Sequence, residues 1–214
     1  MAKEQISGEI DWNAADLGGS KSKTDFLRLT EGETTVRIMG NPTQCFVHWL
    51  KLPDGSNRKV TSPNDNPGLV KRLEEAGFRK QPAWFLKVLD RTSSDESKHE
   101  FKLLEIGKQI YDGILVYVNK KQYGKVTGYD VVLARGPKGQ MPLYKVMAMP
   151  PEALDSAFKT RFAEFNEKLN MDKLIAPMPA GEIEKLLGWG SSDDSGNSKT
   201  ASGSKAKTME YDFE

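Results

Sequence analysis

Cysteine and histidine are nearly missing from this 214-residue chain. Cys45 stands alone, which excludes an internal disulfide. With His48 and His99 as the only histidines, the chain is short of the four Cys/His ligands that a protein zinc cage normally takes. No apolar run approaches the roughly 20 residues of a membrane-spanning helix. The opening stretch MAKEQISGEIDW has no apolar core of the secretory kind, so the expected location is the cytoplasm. Enzyme signatures are missing as well. Gly136-Pro137-Lys138-Gly139 lacks the spacing of a phosphate loop, and no GxSxG, HExxH or HxE with paired cysteines occurs. His48 sits on the apolar side of an alternating segment and reads as a core histidine. Glu74-Glu75 and Asp95-Glu96 read as solvated charge. No residue is assigned a catalytic role, and no cofactor is expected.

What is present is polar and globular, with 37% apolar and 29% charged residues. The net charge of +1 hides an asymmetry. Residues 191–214 carry five acids against three lysines, which leaves the first 190 residues at +3.

Taken in order, residues 1–23 read as a loosely attached polar arm that Ile10, Trp12 and Leu17 could anchor. Phe26–Leu29 and Thr34–Met39 read as one broken strand or two short ones. Gln44–Leu52 alternates, with Phe46, His48, Leu50 and Leu52 on one face and Val47, Trp49 and Lys51 on the other. Pro53-Asp54-Gly55-Ser56 is a turn into a returning strand at Arg58-Lys59-Val60. A loop over Ser62–Gly68 precedes a helix through Leu69, Val70, Leu73 and Ala76, which Gly77 ends. Trp84–Leu89 is a strand, and Thr92–Lys98 a charged hairpin loop. Phe101–Ile106 alternates, KQIYDGILVYV forms a short amphipathic helix, and Tyr129–Arg135 pairs with Leu143–Ala148 across Gly136–Gly139. Leu154, Phe158, Phe162, Phe165 and Leu169 recur at helical spacing, and Ile183, Leu186 and Leu187 make a last short helix. Residues 190–208 are too poor in apolar side chains to offset their ordering entropy and read as disordered.

The fold class expected is mainly β with short helices (α+β), an OB-fold-like Greek-key barrel over residues 24–150. A helical segment at 151–189 and a tail at 190–214 complete it. The chemistry expected follows from aromatic residues beside bases on the strands: Trp49 with Lys51, Arg58 and Lys59; Trp84 and Phe85 with Lys87 and Arg91; Tyr117 and Tyr123 with Lys120 and Lys121; Tyr129 with Arg135 and Lys138; and Tyr144 with Lys145. Any one such pair is ordinary in a strand, which wants aromatics for its core and lysines for solubility. Five in barrel-like order suit a single nucleic-acid strand, whose phosphates meet the bases and whose unstacked rings meet the aromatics.

The stretch KQPAWFLKVLDRTSSDESKHEFKLLEIGKQIYDGI, Lys80–Ile114, resembles the core of phage single-stranded DNA-binding proteins of the T-even helix-destabilising type. The shared features are an aromatic pair opening a strand (Trp84-Phe85), a strand ending in Val88-Leu89-Asp90, an acidic loop, and a strand running into Gly107–Asp112. The resemblance covers about residues 24–150. It implies an OB-fold barrel, a DNA groove across it, and a detachable acidic C-terminus that meets replication partners such as a polymerase or helicase. That family carries a zinc loop; here Thr61-Ser62-Pro63 and Asn66-Pro67-Gly68 stand where cysteines would, so the metal is expected to be absent.

The resulting expectation is a protein that binds single-stranded DNA without sequence preference during phage replication, recombination and repair, within the infected cell. Self-association on DNA is left open by the sequence. Glu210, Asp212 and Glu214 around Tyr211 and Phe213 form a tip able to mimic DNA in the groove or to dock on a partner protein. The alternative is a scaffold or recombination mediator whose barrel contacts other proteins.

Overall fold

The computed structural model describes residues 26–139 and 141–189. The arm at 1–23 and the tail, with Glu210, Tyr211, Asp212, Phe213 and Glu214, lie outside the described residues. What is described is mainly antiparallel sheet with several short helices. Seven strands form one sheet: β1 (Gly32–Ile38), β2 (Thr43–Lys51), β3 (Asn57–Thr61), β4 (Gln81–Asp90), β5 (Glu100–Ile106), β6 (Tyr129–Arg135) and β7 (Tyr144–Pro151). The order is β3-β2-β4-β1-β6-β7, with β5 on the other edge of β4. β4 therefore serves three partners. Gln81–Phe85 pairs with β2, Val88–Asp90 pairs with β1 along the same edge, and Trp84–Asp90 pairs with β5 along the opposite one.

That arrangement makes the sheet wrap. Val36 and Ile38 of β1, Trp84, Leu86 and Val88 of β4, Leu104 and Ile106 of β5, and Val131 and Leu133 of β6 converge on one buried core. Ile110 and Ile114 of α2 (Lys108–Val118) close one side of it. Phe26–Leu29 runs along the free edge of β5, where Leu27 N–H donates to Leu103 O at 2.9 Å. At the end of β6, Arg135 Nη1 donates to Leu29 O at 2.6 Å. α2 lies so close on β7 that a Cβ built at Gly113 would stand 2.6 Å from Val146 Cγ2.

The β2–β3 hairpin leaves the body of the sheet. Its pairing with β4 ends at Val47↔Gln81, and beyond that β2 has only β3 beside it. Asp54 makes the turn by accepting hydrogen bonds from Ser56 N–H and Oγ–H. Behind the hairpin, Leu50 and Val60 pack on Leu69 and Leu73 of α1 (Pro67–Glu75), whose N-cap Asn66 accepts Leu69 N–H.

After β7 the chain makes α3 (Ser156–Lys168), α4 (Met171–Ile175) and α5 (Ala180–Leu186). This strap crosses the outer face of β4–β5. Phe158, Phe162 and Phe165 of α3 pack edge-on or tilted around Phe101, and Lys87 donates to Asn166 Oδ1. Leu169, Met171, Leu174 and Ile175 then pack on Cys45, Val47, Phe85 and Leu103. Ile183 and Leu187 finish in the hairpin's core. Sequence periodicity finds α3 and α5; α4 and the 3-10 turns at Lys121–Tyr123 and Val126–Gly128 are additions. The loop joining β6 to β7 is also longer than a tight turn, closing at Gly136 N–H to Leu143 O, 2.9 Å.

Candidate nucleic-acid interface

Residues 45, 47, 49 and 51 share one face of β2. Val47 is covered by the strap, but Trp49, past the end of β4, is 51% exposed. Lys59 is its cross-strand partner, and Lys51 follows on the same face. Lys59 is ion-paired to Glu105 near the end of β5. Glu105 in turn lines an open cleft of about 510 Å³ between Phe26–Leu29, the N-terminal end of α2, and the start of β7. Arg28, Lys108, Arg135 and Tyr144 line the same cleft over an apolar floor of Leu27, Leu29, Leu104 and Ile110.

Three cations against one already-paired carboxylate make this cleft electropositive. Arg28 is exposed, and the Arg135 Nε–H is buried without a protein partner. Lys108 pairs with Asp112 at 2.8 Å, but its side chain is 71% exposed, and such surface pairs contribute little. Gly107 offers α2 no side-chain cap, so the amides of its first turn add partial positive charge on the cleft side. Lys138, in the β6–β7 loop just beyond Arg135, is exposed.

Of the residues expected from sequence, the structure thus brings Trp49, Lys51 and Lys59 to one face and Arg135 and Tyr144 to the adjoining cleft, with Lys138 beside it. Arg58 is exposed on the opposite face of the hairpin, paired with Leu50. The others are placed elsewhere. Trp84 is 8% exposed and stacks inside the core on Tyr111, centroids 4.0 Å apart and planes at 2°. Phe85 is buried beneath the edge of Phe26. Lys87 is engaged by Asn166. Arg91 joins Arg37 on Asp130, its Nη1 lying 2.8 Å from Asp130 Oδ2 and 3.5 Å from Glu152. Tyr117 and Tyr123 pack edge to face, Tyr123 against Tyr129, and Tyr117 Oη–H donates to Val146 O at 3.2 Å. Lys120, lying over the Tyr117 ring, and exposed Lys121 flank them. This group sits at the C-terminal end of α2, about 16 Å along the helix from the cleft.

Arg28 and Lys108 are the residues that sequence reasoning passed over. Arg28 lies within the short Phe26–Leu29 segment, with no aromatic neighbour of the kind that marked the other bases except Phe26. Lys108 lies in the Gly107–Asp112 piece, where an uncapped glycine followed by lysine at a helix start was the available signal.

Cys45 and His48, the soft ligands closest in sequence, point to opposite faces of β2. His48 Nδ1 meets Phe78 O at 2.7 Å and Nε2 meets Ser62 Oγ at 3.0 Å, so both nitrogens are engaged. Burial pushes the Cys45 thiol pKa up, with the Glu105 carboxylate adding to it, which makes the sulfur a poor nucleophile. Among the described residues, no group of three or more His, Cys, Asp or Glu side chains is placed to hold a metal ion. Nor, among them, is any helix long and apolar enough to cross a membrane.

The fold and this surface define a β-sheet protein with an aromatic-edged cationic groove, suited to a polyanion that also carries flat rings. No family model matches the chain. Among curated proteins it is similar to the "Probable ssDNA-binding protein" of Escherichia phage T5, with 26% identity over 145 residues, 58% of this chain and 53% of that protein. The chain therefore spans about half the length of the curated relative it matches.

Proposed function

We propose that this protein binds single-stranded DNA along the surface running from Trp49 and Lys59 to the cleft of Arg28, Lys108 and Arg135. The observation that carries the reading is the half-exposed Trp49 beside Lys59, joined through Glu105 to three cations around one cleft. A single strand offers unstacked bases to the indole and phosphates to the cations; a duplex hides its bases. The name of the phage T5 relative points the same way.

The strand order supports an OB-type barrel. Taking Phe26–Ile38, β4, β5, β6 and β7 as its five strands, the first lies between the second and fourth, and a helix joins the third to the fourth. The β2–β3 hairpin with α1 is then an insertion in the loop after the first strand, and residues 136–143 are the loop before the fifth. Those two loops flank the binding surface of OB-folds. The T-even resemblance fits the same order, without its zinc. In that setting the protein coats and organises single strands during phage replication, recombination and repair in the host cell. The acidic tip at Glu210–Glu214 serves as its contact with a polymerase or helicase.

The test is a titration of labelled oligo-dT and of a matched duplex at two salt concentrations. Single strands bind more tightly, and log affinity falls with log salt by about 0.7 per phosphate contacted. Equal affinity for duplex, or binding indifferent to salt, would sink the reading.

A further inference from the structure

We propose that α3 is a displaceable cover that competes with DNA for the outer face of β4–β5, so that long strands reach a second set of contacts short ones do not. The inference rests on the single-stranded DNA reading above and adds how its surface is regulated. In an OB-type barrel the face of the second and third strands holds nucleotides. Here those strands are β4 and β5, and their outer face carries Phe101 as an aromatic platform with Lys87 as a cation one strand over. Both are occupied from within the chain.

The occupants have the chemistry of the ligand. The ring centroids of Phe158, Phe162 and Phe165 lie 5.5 to 6.5 Å from that of Phe101, edge-on or tilted, and cover the ring a base would need to reach. An amide oxygen of Asn166 accepts from Lys87, where a phosphate oxygen would. α3 is also the weakly held part of the strap. None of its residues is buried, whereas α5 buries Ile183 and the α4 region packs on the buried cluster of Cys45, Val47 and Phe85. Its remaining ties involve Arg161 and Phe158: Arg161 Nη2 donates to His99 O at 2.8 Å and lies over the Phe101 and Phe158 rings, and Phe158 meets the His99 ring. The helix is fixed at both ends, by Glu152 N–H on Gly128 O and by Leu169 in the cluster below, so it can lift as a unit without unfolding the sheet.

The test uses the full chain and oligo-dT of about 4 and about 16 nucleotides, the range one OB-fold covers. Replacing Phe162→Ala and Phe165→Ala together loosens the cover. The longer strand should then bind several-fold more tightly, the shorter one as before, and adding Phe101→Ala should cancel the gain. Amide exchange in the unaltered protein gives an independent readout: residues 156–168 should exchange faster with the long strand bound. Slower or unchanged exchange there, or a loosened variant whose affinity for the long strand is unaltered or lower, overturns the proposal. If the short strand still binds in that case, the groove reading survives alone. If neither strand binds, both fall together.

Discussion

Trp49 and Trp84 stand on adjacent antiparallel strands and have opposite fates. β4 is flanked by β2 or β1 on one edge and β5 on the other, with a core beneath it and the strap above, so Trp84 is enclosed on every side. The far half of β2 has one neighbour, and the strap's α5 packs only on its Leu50 face, so Trp49 on the other face is open. Identical side chains are thus sorted by how many elements surround their strand. The lesson is that the outer sheet surface has an open end, at the hairpin and cleft, and a covered one, at Phe101.

The contrast can be broken in order of size. Trp84→Ala should cost about 3–5 kcal/mol of folding stability, as large-to-small core changes do, with DNA affinity unchanged in the folded fraction. Chemical denaturation alongside a titration checks both halves. Trp49→Ala should do the reverse, losing about 1–3 kcal/mol of affinity with an unaltered melting temperature. If its loss shows up as instability instead, the hairpin face is structural. Arg28→Ala with Lys108→Ala should flatten the log–log salt dependence by about 1.4, two phosphates' worth, read from titrations at several salt concentrations.

A smaller effect comes from the end of β4. Burial alone would raise the Asp90 carboxyl, but hydrogen bonds from Thr92 Oγ–H and N–H and from the Lys102 ammonium, 3.1 Å away, hold it below its ordinary value. Because the folded pKa is depressed, this contribution is complete above the unfolded carboxyl pKa of about 3.9 and is lost as pH falls through the lower folded value. Asp90→Asn should therefore lower stability at neutral pH and weaken its dependence on pH below about 4. The smallest effect is zero: a chelator should leave the melting temperature where it was, since both His48 nitrogens already have partners.

Legibility in the sequence tracked the same distinction. β2 could be read face by face, because one side is core and Trp49 on the other is open. On β4, alternation separated Trp84, Leu86 and Val88 from Phe85, Lys87 and Leu89 as the structure has them, but on β4 and β5 it did not tell which set faces outward. Ala83, Trp84, Phe85 and Leu86 are all buried, and Leu103 and Leu104 point into different cores, so both faces look apolar and alternation carries no sign of which ring is offered outward. Arg91 and Lys87 looked free for the same reason; their partners Asp130, Glu152 and Asn166 are about 40 to 80 positions away in the chain. The helical period of Phe158, Phe162 and Phe165 revealed a helix but not that its apolar side rests on Phe101.

Gly113 turns a packing detail into a matter of calibre. Because that position has no side chain, α2 can rest on Val146 of β7, and the same two elements reach across at the cleft mouth through Gln109 Nε2 to Tyr144 O at 3.4 Å. Lys108 rides on the next residue back. Adding a single methyl at Gly113 would wedge the helix away from the strand and carry Lys108 off from Arg135 and Tyr144. One absent carbon atom thus works as the spacer that sets the width of the cleft.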